Sequence, residues 1–171
     1  MEASRAPDLQ IEQDPAFQRR SWRVERIGTW LFVALLGAAV SGLFGSGPLS
    51  HAAATVPGVL RVEFQRFSQY QSPDNLLIHV EPGAAPGREL RLWLDRAYLA
   101  GVRLEAMVPT PIRVETAADR LTFVFALTEP GVPFTVLVAL QPQHFGVMHG
   151  RLGLEPAGDG PRLAFRQIVF P

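Results

Sequence analysis

Four histidines are the residues best suited to chemistry in this chain: His51, His79, His144 and His149. His144 and His149 stand five apart in "QHFGVMHG", across an expected loop-to-strand junction, and a divalent metal could take both imidazoles. No Asp or Glu clusters beside them, so a third ligand must come from elsewhere, and surface histidines are the ordinary reading. Cysteine is absent, which removes thiol nucleophiles, disulfides, and Cys-based zinc or iron–sulfur sites. There is no GxSxG elbow, no Walker loop, no GxGxxG after a strand and no HExxH. Glu63 with Glu81, and Asp95 with Glu105, read as ordinary outward charges of strands and turns. The sequence therefore assigns no catalytic, cofactor-binding or metal residue, and the expected role is not enzymatic.

The bulk numbers narrow the class further. The chain has 171 residues, room for one domain plus attachments. Its 16 basic and 16 acidic residues cancel, so the basic excess of a nucleic-acid binder is missing. Every basic residue is Arg, and Ala, Gly and Pro are abundant, the bias of a GC-rich bacterial genome.

Whatever the chain does must be positioned by two kinds of element. The first is the segment "FQRRSWRVERIGTWLFVALLGAAVSGLFGSGPLS", residues 17–50. Residues 27–50 carry no charge, and the run 27–47 meets the roughly 20 apolar residues that a bilayer core requires of a helix. A secretory signal has a shorter apolar region, of about 7–15 residues, so retention is favoured over cleavage at "HAAAT". Arg19, Arg20, Arg23 and Arg26 precede the run, opposed only by Glu25, and no Arg follows until Arg61. The positive-inside rule then puts the N-terminus in the cytoplasm and the C-terminal domain outside it. Trp22 and Trp30 lie where indoles prefer the membrane interface. Ala34, Gly37, Ala38, Ser41 and Gly45 recur at spacings of three and four and form a small-residue stripe suited to close helix packing. The same stripe is also what an Ala- and Gly-rich genome produces by composition. Residues 1–16 read as a disordered cytoplasmic tail, 17–47 as juxtamembrane and transmembrane helix, and 48–58 as a short tether broken from the helix by Pro48.

The second kind begins at Val59, where the period changes to two. "VLRVEFQRF", "NLLIHVE", "ELRLWLD", "VRLEAMV", "IRVET", "RLTFVFAL", "FTVLVAL", "GVMHGRLGL" and "RLAFRQIVF" alternate apolar with polar residues. Turn chemistry separates them: "SPDN", "EPGAAPG", "PTP", "EPGVP" and "EPAGDGP". Residues 59–171 are thus expected to be an antiparallel β-sandwich, immunoglobulin-like in architecture, of about eight or nine strands. "RELRLWLDRAYLAG" fits a helix with Leu90, Trp93, Leu94, Ala97 and Tyr98 on one face and Gly101 as its C-cap, but the flanking strands favour a strand through Leu94 and then a tight helical turn through Ala100. "DRAYL" reads as a turn with a surface ion pair beside a packed Tyr98. In "LQPQHFG", Pro142 ends a strand and Gly146 is placed for positive φ. Gly150 and Gly153 mark a bulge or a close backbone approach.

"FQRRSWRVERIG", "LFGSGPLS", "LQPQHFG" and the terminal "RQIVFP" together resemble a family of small, uncharacterised, single-pass inner-membrane proteins of Gram-negative bacteria. The resemblance spans most of residues 17–171. It implies an inner-membrane location and a periplasmic β-domain, and it supplies no activity. The expected function is an accessory or scaffold module docking on an envelope or integral membrane protein, or on a second copy of itself. The rival is a β-sandwich that binds a small ligand, lipid or glycan, in a cavity between the sheets or a cleft near Trp93 and Tyr98.

Overall fold

The structure, a computed structural model, describes residues 15–40, 50–85, 87–155 and 162–171. The chain divides into two units, Met1–Ala38 and Ala39–Pro171. The described part of the first unit is helical: α1 spans Pro15–Val40, its last two residues falling in the second unit. Its opening at Pro15 suits proline, which lacks the N–H that a first helical turn leaves unbonded anyway. The expected disordered tail lies, but for its last two residues, outside the described residues.

The expected transmembrane helix is not found as such. No helix among the described residues is long and apolar enough to cross a membrane. The reason is where the charges lie. Arg19, Arg20, Arg23, Glu25 and Arg26 occupy the first half of α1. The uncharged part of α1 among the described residues, 27–40, spans about 21 Å at 1.5 Å per residue, short of a hydrocarbon core of about 30 Å. Residues 41–47 of the expected span lie outside the described residues.

The second unit is a two-sheet sandwich built from β1 (His51–Val56), β2 (Leu60–Gln65), β3 (Phe67–Gln69), β4 (Asp74–Val80), β5 (Glu89–Asp95), α2 (Arg96–Ala100), β6 (Val102–Val108), β7 (Arg113–Thr116), β8 (Arg120–Ala126), β9 (Phe134–Pro142), β10 (Gly146–Glu155) and β11 (Arg162–Phe170). One sheet runs β1-β2-β4-β9-β6 and the other β3-β11-β10-β5-β8-β7. Every described pairing is antiparallel except β3 with β11, which is parallel. Alternation places Leu60, Val62, Leu76, Ile78, Val136 and Val138 of the first sheet against Leu90, Leu92, Leu94, Phe123, Phe125 and Leu152 of the second. Each such side chain contributes on the order of 1.5–3 kcal/mol on burial.

Three details differ from the sequence reading. Residues 51–56 are a strand, not part of a tether, with Ala52, Ala54 and Val56 packed on the core. Alanine carries too weak a polar–apolar contrast to announce that alternation. The run "VLRVEFQRF" is two strands, because the chain crosses from one sheet to the other at Arg66: its N–H donates to Ser50 O and its carbonyl accepts from Ile168 N. Asp95 does not pair with Arg96. It caps α2 by accepting from Ala97 N at 2.9 Å and holds Arg151 Nε at 2.7 Å. The strand-then-turn reading of residues 88–100 matches β5 and α2. Gly146 has φ +111°, as its place at the corner requires.

Candidate docking surface

The histidines do not come together. His144 and His149 are exposed, His51 is exposed at the start of β1, and no metal-binding group of three residues exists among the described residues. His79 is the one that meets other polar groups. It lies in a groove of about 360 Å³ with Arg61, Glu63, Glu81 and Thr135 on the outer face of the five-stranded sheet. Glu63 and Glu81 do therefore share one groove, which sequence spacing gave no means of seeing. The chemistry stops there. His79 Nδ1 meets Thr135 Oγ1 at 3.1 Å, but Nε2 is 3.9 Å from Glu63, too far for a hydrogen bond. Glu63 is already engaged by Arg61 at 2.9 Å. Asp95 and Glu105 fall on different sheets.

Trp93 and Tyr98 form no common cleft. Tyr98 is in the core, edge-on to Phe165 at 5.1 Å. Trp93 alternates with the core residues Leu92 and Leu94 and so faces outward, where Arg120 lies over its ring at 4.9 Å. The surface around it is a closed set of ion pairs. Arg91 bridges Glu115 and Glu155, Arg113 joins Glu115 at 2.8 Å, and Thr122 Oγ1 donates to Glu155 at 3.2 Å. The Arg91 and Arg113 guanidiniums hold the Glu115 carboxyl below its usual range. With its charges satisfied internally, the part of this face formed by β5, β8 and β7 offers little to a partner.

Between the sheets lies a buried polar network that the sequence did not signal. The Asp74 carboxylate accepts from Ser68 Oγ at 2.5 Å, Gln167 Nε2 at 2.9 Å and Asn75 N at 2.7 Å. Gln167 also donates to Gln65 O at 3.0 Å and accepts from the Tyr98 hydroxyl at 2.7 Å. Asp74 and Gln167 are only 2% and 1% exposed, and β4 of one sheet is thereby tied to β3 and β11 of the other. Burial raises the Asp74 pKa, against the three hydrogen bonds that lower it. Burial, with the Asp74 charge, also pushes the Tyr98 phenol up. No buried side-chain polar atom among the described residues lacks a partner, so this network is a structural tie.

The remaining feature is an apolar strip on the outer face of the six-stranded sheet. Phe67 stacks on Phe170 at 6.0 Å, pairs in register with Ile168, and Ile168 pairs with Val147. The strip ends in two loops where Tyr70 meets Phe145 edge-on at 6.5 Å. Phe145, Val147 and Tyr70 are 71%, 56% and 41% exposed. Neither loop, "YQSP" at 70–73 nor "QHF" at 143–145, carries a charged residue. Phe67, Ile168 and Phe170 are half-buried, so the strip is most exposed toward its loop end, whereas scattered aliphatics such as Val132 are ordinary. Ser50, where the described part of the sandwich begins, is hydrogen-bonded beside this strip, accepting from Arg66 N at 2.6 Å and donating to Phe67 O at 3.0 Å.

Of the membrane-interface residues, Trp22 and Trp30 are exposed on α1, with Arg26 over the Trp22 ring at 4.7 Å. Arg19, Arg20 and Arg23 lie on the same helix. Ala34 and Gly37 are exposed and Ala38 half-buried, while Ser41 and Gly45 fall outside the described residues.

The second unit is thus a β-sandwich with an aromatic and aliphatic strip on the outer face of its six-stranded sheet. No family model and no curated protein matches the chain. Among solved structures it is similar to a cohesin module from Clostridium perfringens ATCC13124 family 33 glycoside hydrolase, at 16% identity and TM-score 0.46, covering 68% of this chain and 98% of that one. It is also similar to a non-cellulosomal cohesin from the hyperthermophilic archaeon Archaeoglobus fulgidus, at 11% identity and TM-score 0.40, covering 61% of this chain and 86% of that one. Similarity at this level leaves the functional reading to the chain's own residues.

Proposed function

We propose that this protein is a non-enzymatic docking module, tethered to the bacterial inner membrane by its N-terminal segment and presenting the sandwich on the periplasmic side. The observation that carries the docking role is the continuous strip from Phe67 through Ile168 and Val147 to Tyr70 and Phe145, flanked by loops without charge. Aromatic anchors with uncharged polar neighbours are the composition of an interface centre. The tether is supported by the uncharged residues 27–50, the preceding Arg cluster and the exposed Trp22 and Trp30. The partner is another envelope or integral membrane protein, with the Ala34, Gly37 and Ala38 stripe available to a helix.

Membranes washed with carbonate and then solubilised gently test both parts. The chain is expected to stay with the washed membranes and to migrate on a native gel as a complex heavier than its monomer. Phe145→Asp, at an exposed loop position, is expected to shift it to monomer size without releasing it from the membrane. Release by carbonate would sink the tether, and an unshifted complex would sink the strip.

A further inference from the structure

The open edge of β11 carries the reading one step deeper. Strand β3 pairs only with Ile168, Val169 and Phe170, so residues 163–167 of β11 have no hydrogen-bonded strand on that side among the described residues, although β1 of the other sheet packs against β11. The direction of their backbone groups follows from two hydrogen bonds. Ile168 N donates to Arg66 O at 2.7 Å and Phe170 O accepts from Tyr70 N at 2.7 Å, both toward β3. Backbone groups alternate sides along an extended strand, and the β10–β11 register is unbroken. Ala164 and Arg166 therefore present their N–H and C=O to the vacant side.

A groove of about 380 Å³ follows this edge. Phe64 and Phe165 contribute apolar walls, Phe67 and Ile168 join it to the docking strip, and Arg66 and Arg166 line it as well. No carboxylate lines it, and neither of those guanidiniums is in an ion pair among the described residues. Two of the other sheet edges are guarded differently. β6 is bulged between Leu104 and Ala106 and carries Arg103 and Glu105, and β7 is short with Arg113 and Glu115.

We infer that this groove receives an extended segment of a partner protein in which acidic and apolar residues alternate, added as a strand to the edge of β11 in line with β3. Its main chain would bond Ala164 and Arg166, its apolar side chains would lie over Phe64 and Phe165, and its carboxylates would face Arg66 and Arg166. This rests on the docking reading and specifies its mode.

The test uses the full-length chain in detergent and a fluorescent octapeptide of alternating Glu and Val, read by polarisation. Binding is expected to weaken with salt and to fall about tenfold or more for the Lys–Val peptide. Ala164→Pro removes an N–H that the β10 ladder does not use, and it is expected to abolish binding. Should that variant unfold, an octapeptide with alternate amides N-methylated, offered to the parent protein, asks the same question and is expected not to bind. Equal binding of the Glu and Lys peptides, undiminished binding of the N-methylated peptide, or no binding of the Glu–Val peptide overturns the proposal. If the proposal fails while Phe145→Asp still dissolves the native complex, the docking reading stands and only the strand mode is lost.

Discussion

Asp74→Ala is expected to lower the stability of the sandwich by about 3 kcal/mol and its Tm by about 10 °C. The carboxylate is the common acceptor for three donors, and it lies 2% exposed between the sheets. Alanine strands one buried Gln167 N–H, at a cost of about 1–3 kcal/mol, and removes the acceptor of the part-buried Asn75 N–H, which water can partly replace. Ser68 can turn its hydroxyl elsewhere, and Gln167 keeps its bond to Gln65 O, which limits the loss. Asp74→Asn keeps the shape but turns one oxygen into a donor, facing either Asn75 N–H or the Gln167 amide, and costs less, about 1–2 kcal/mol.

The two variants also differ in pH dependence. Burial raises the folded-state pKa of Asp74 above its ordinary 3.8, so the native state holds this proton where the unfolded chain has released it. The associated stability is fully present below the unfolded pKa and is lost as pH rises through the folded pKa. Asparagine cannot titrate. The deficit of Asp74→Asn relative to the parent is therefore largest near pH 4 and shrinks toward neutrality. Glu115 and Asp119, held below the usual carboxylate range by Arg91 and Arg120, act in the opposite sense but equally in both proteins. Urea unfolding across that pH range reads the difference. A deficit that grows with pH, or an alanine variant within about 1 kcal/mol of the parent, would contradict the assignment.

The second large effect is steric. A Cβ on Gly150 would stand 2.2 Å from Phe165 Cζ. Phe64 and Tyr98 flank the Phe165 ring at 5.1 Å each and Tyr98 is tied to Gln167, which hinders withdrawal of the ring on those two sides. Gly150→Ala is expected to cost about 2–3 kcal/mol, and Gly150→Val more. Phe165→Leu should relieve part of this, so the double variant is expected to be more stable than the sum of the singles by about 1 kcal/mol. Simple additivity in thermal or urea unfolding would show that the ring moves aside freely.

The strands that were legible are those whose two faces differ sharply. "NLLIHVE" and "FTVLVAL" alternate strongly and became β4 and β9. β1 was hidden because "HAAATV" offers only small side chains on its core face. The parallel β3 was hidden because its three residues continue the pattern of β2, and only the crossing at Arg66 separates them. "LQPQHFG" was read as a corner, and Gly146 bears this out, but its Phe145 matters through Tyr70, which is distant in sequence. The polar network joins residues as far apart as Gln65 and Gln167, and no local pattern encodes such a contact. The same holds for the groove: an open edge on β11 exists only because β3 begins at Phe67, opposite Ile168, a fact of pairing rather than of composition.

The central claim is that the strip ending at Tyr70 and Phe145 is a protein-docking surface, and in-cell photocrosslinking tests it most directly. A photoreactive residue is placed in the full-length chain at position 145, and in a parallel strain at position 132, an exposed site beside Glu129. One discrete adduct is expected from position 145, none from position 132, and loss of the adduct when Val147→Asp is added. No adduct from position 145, or the same adduct from both positions, would contradict it.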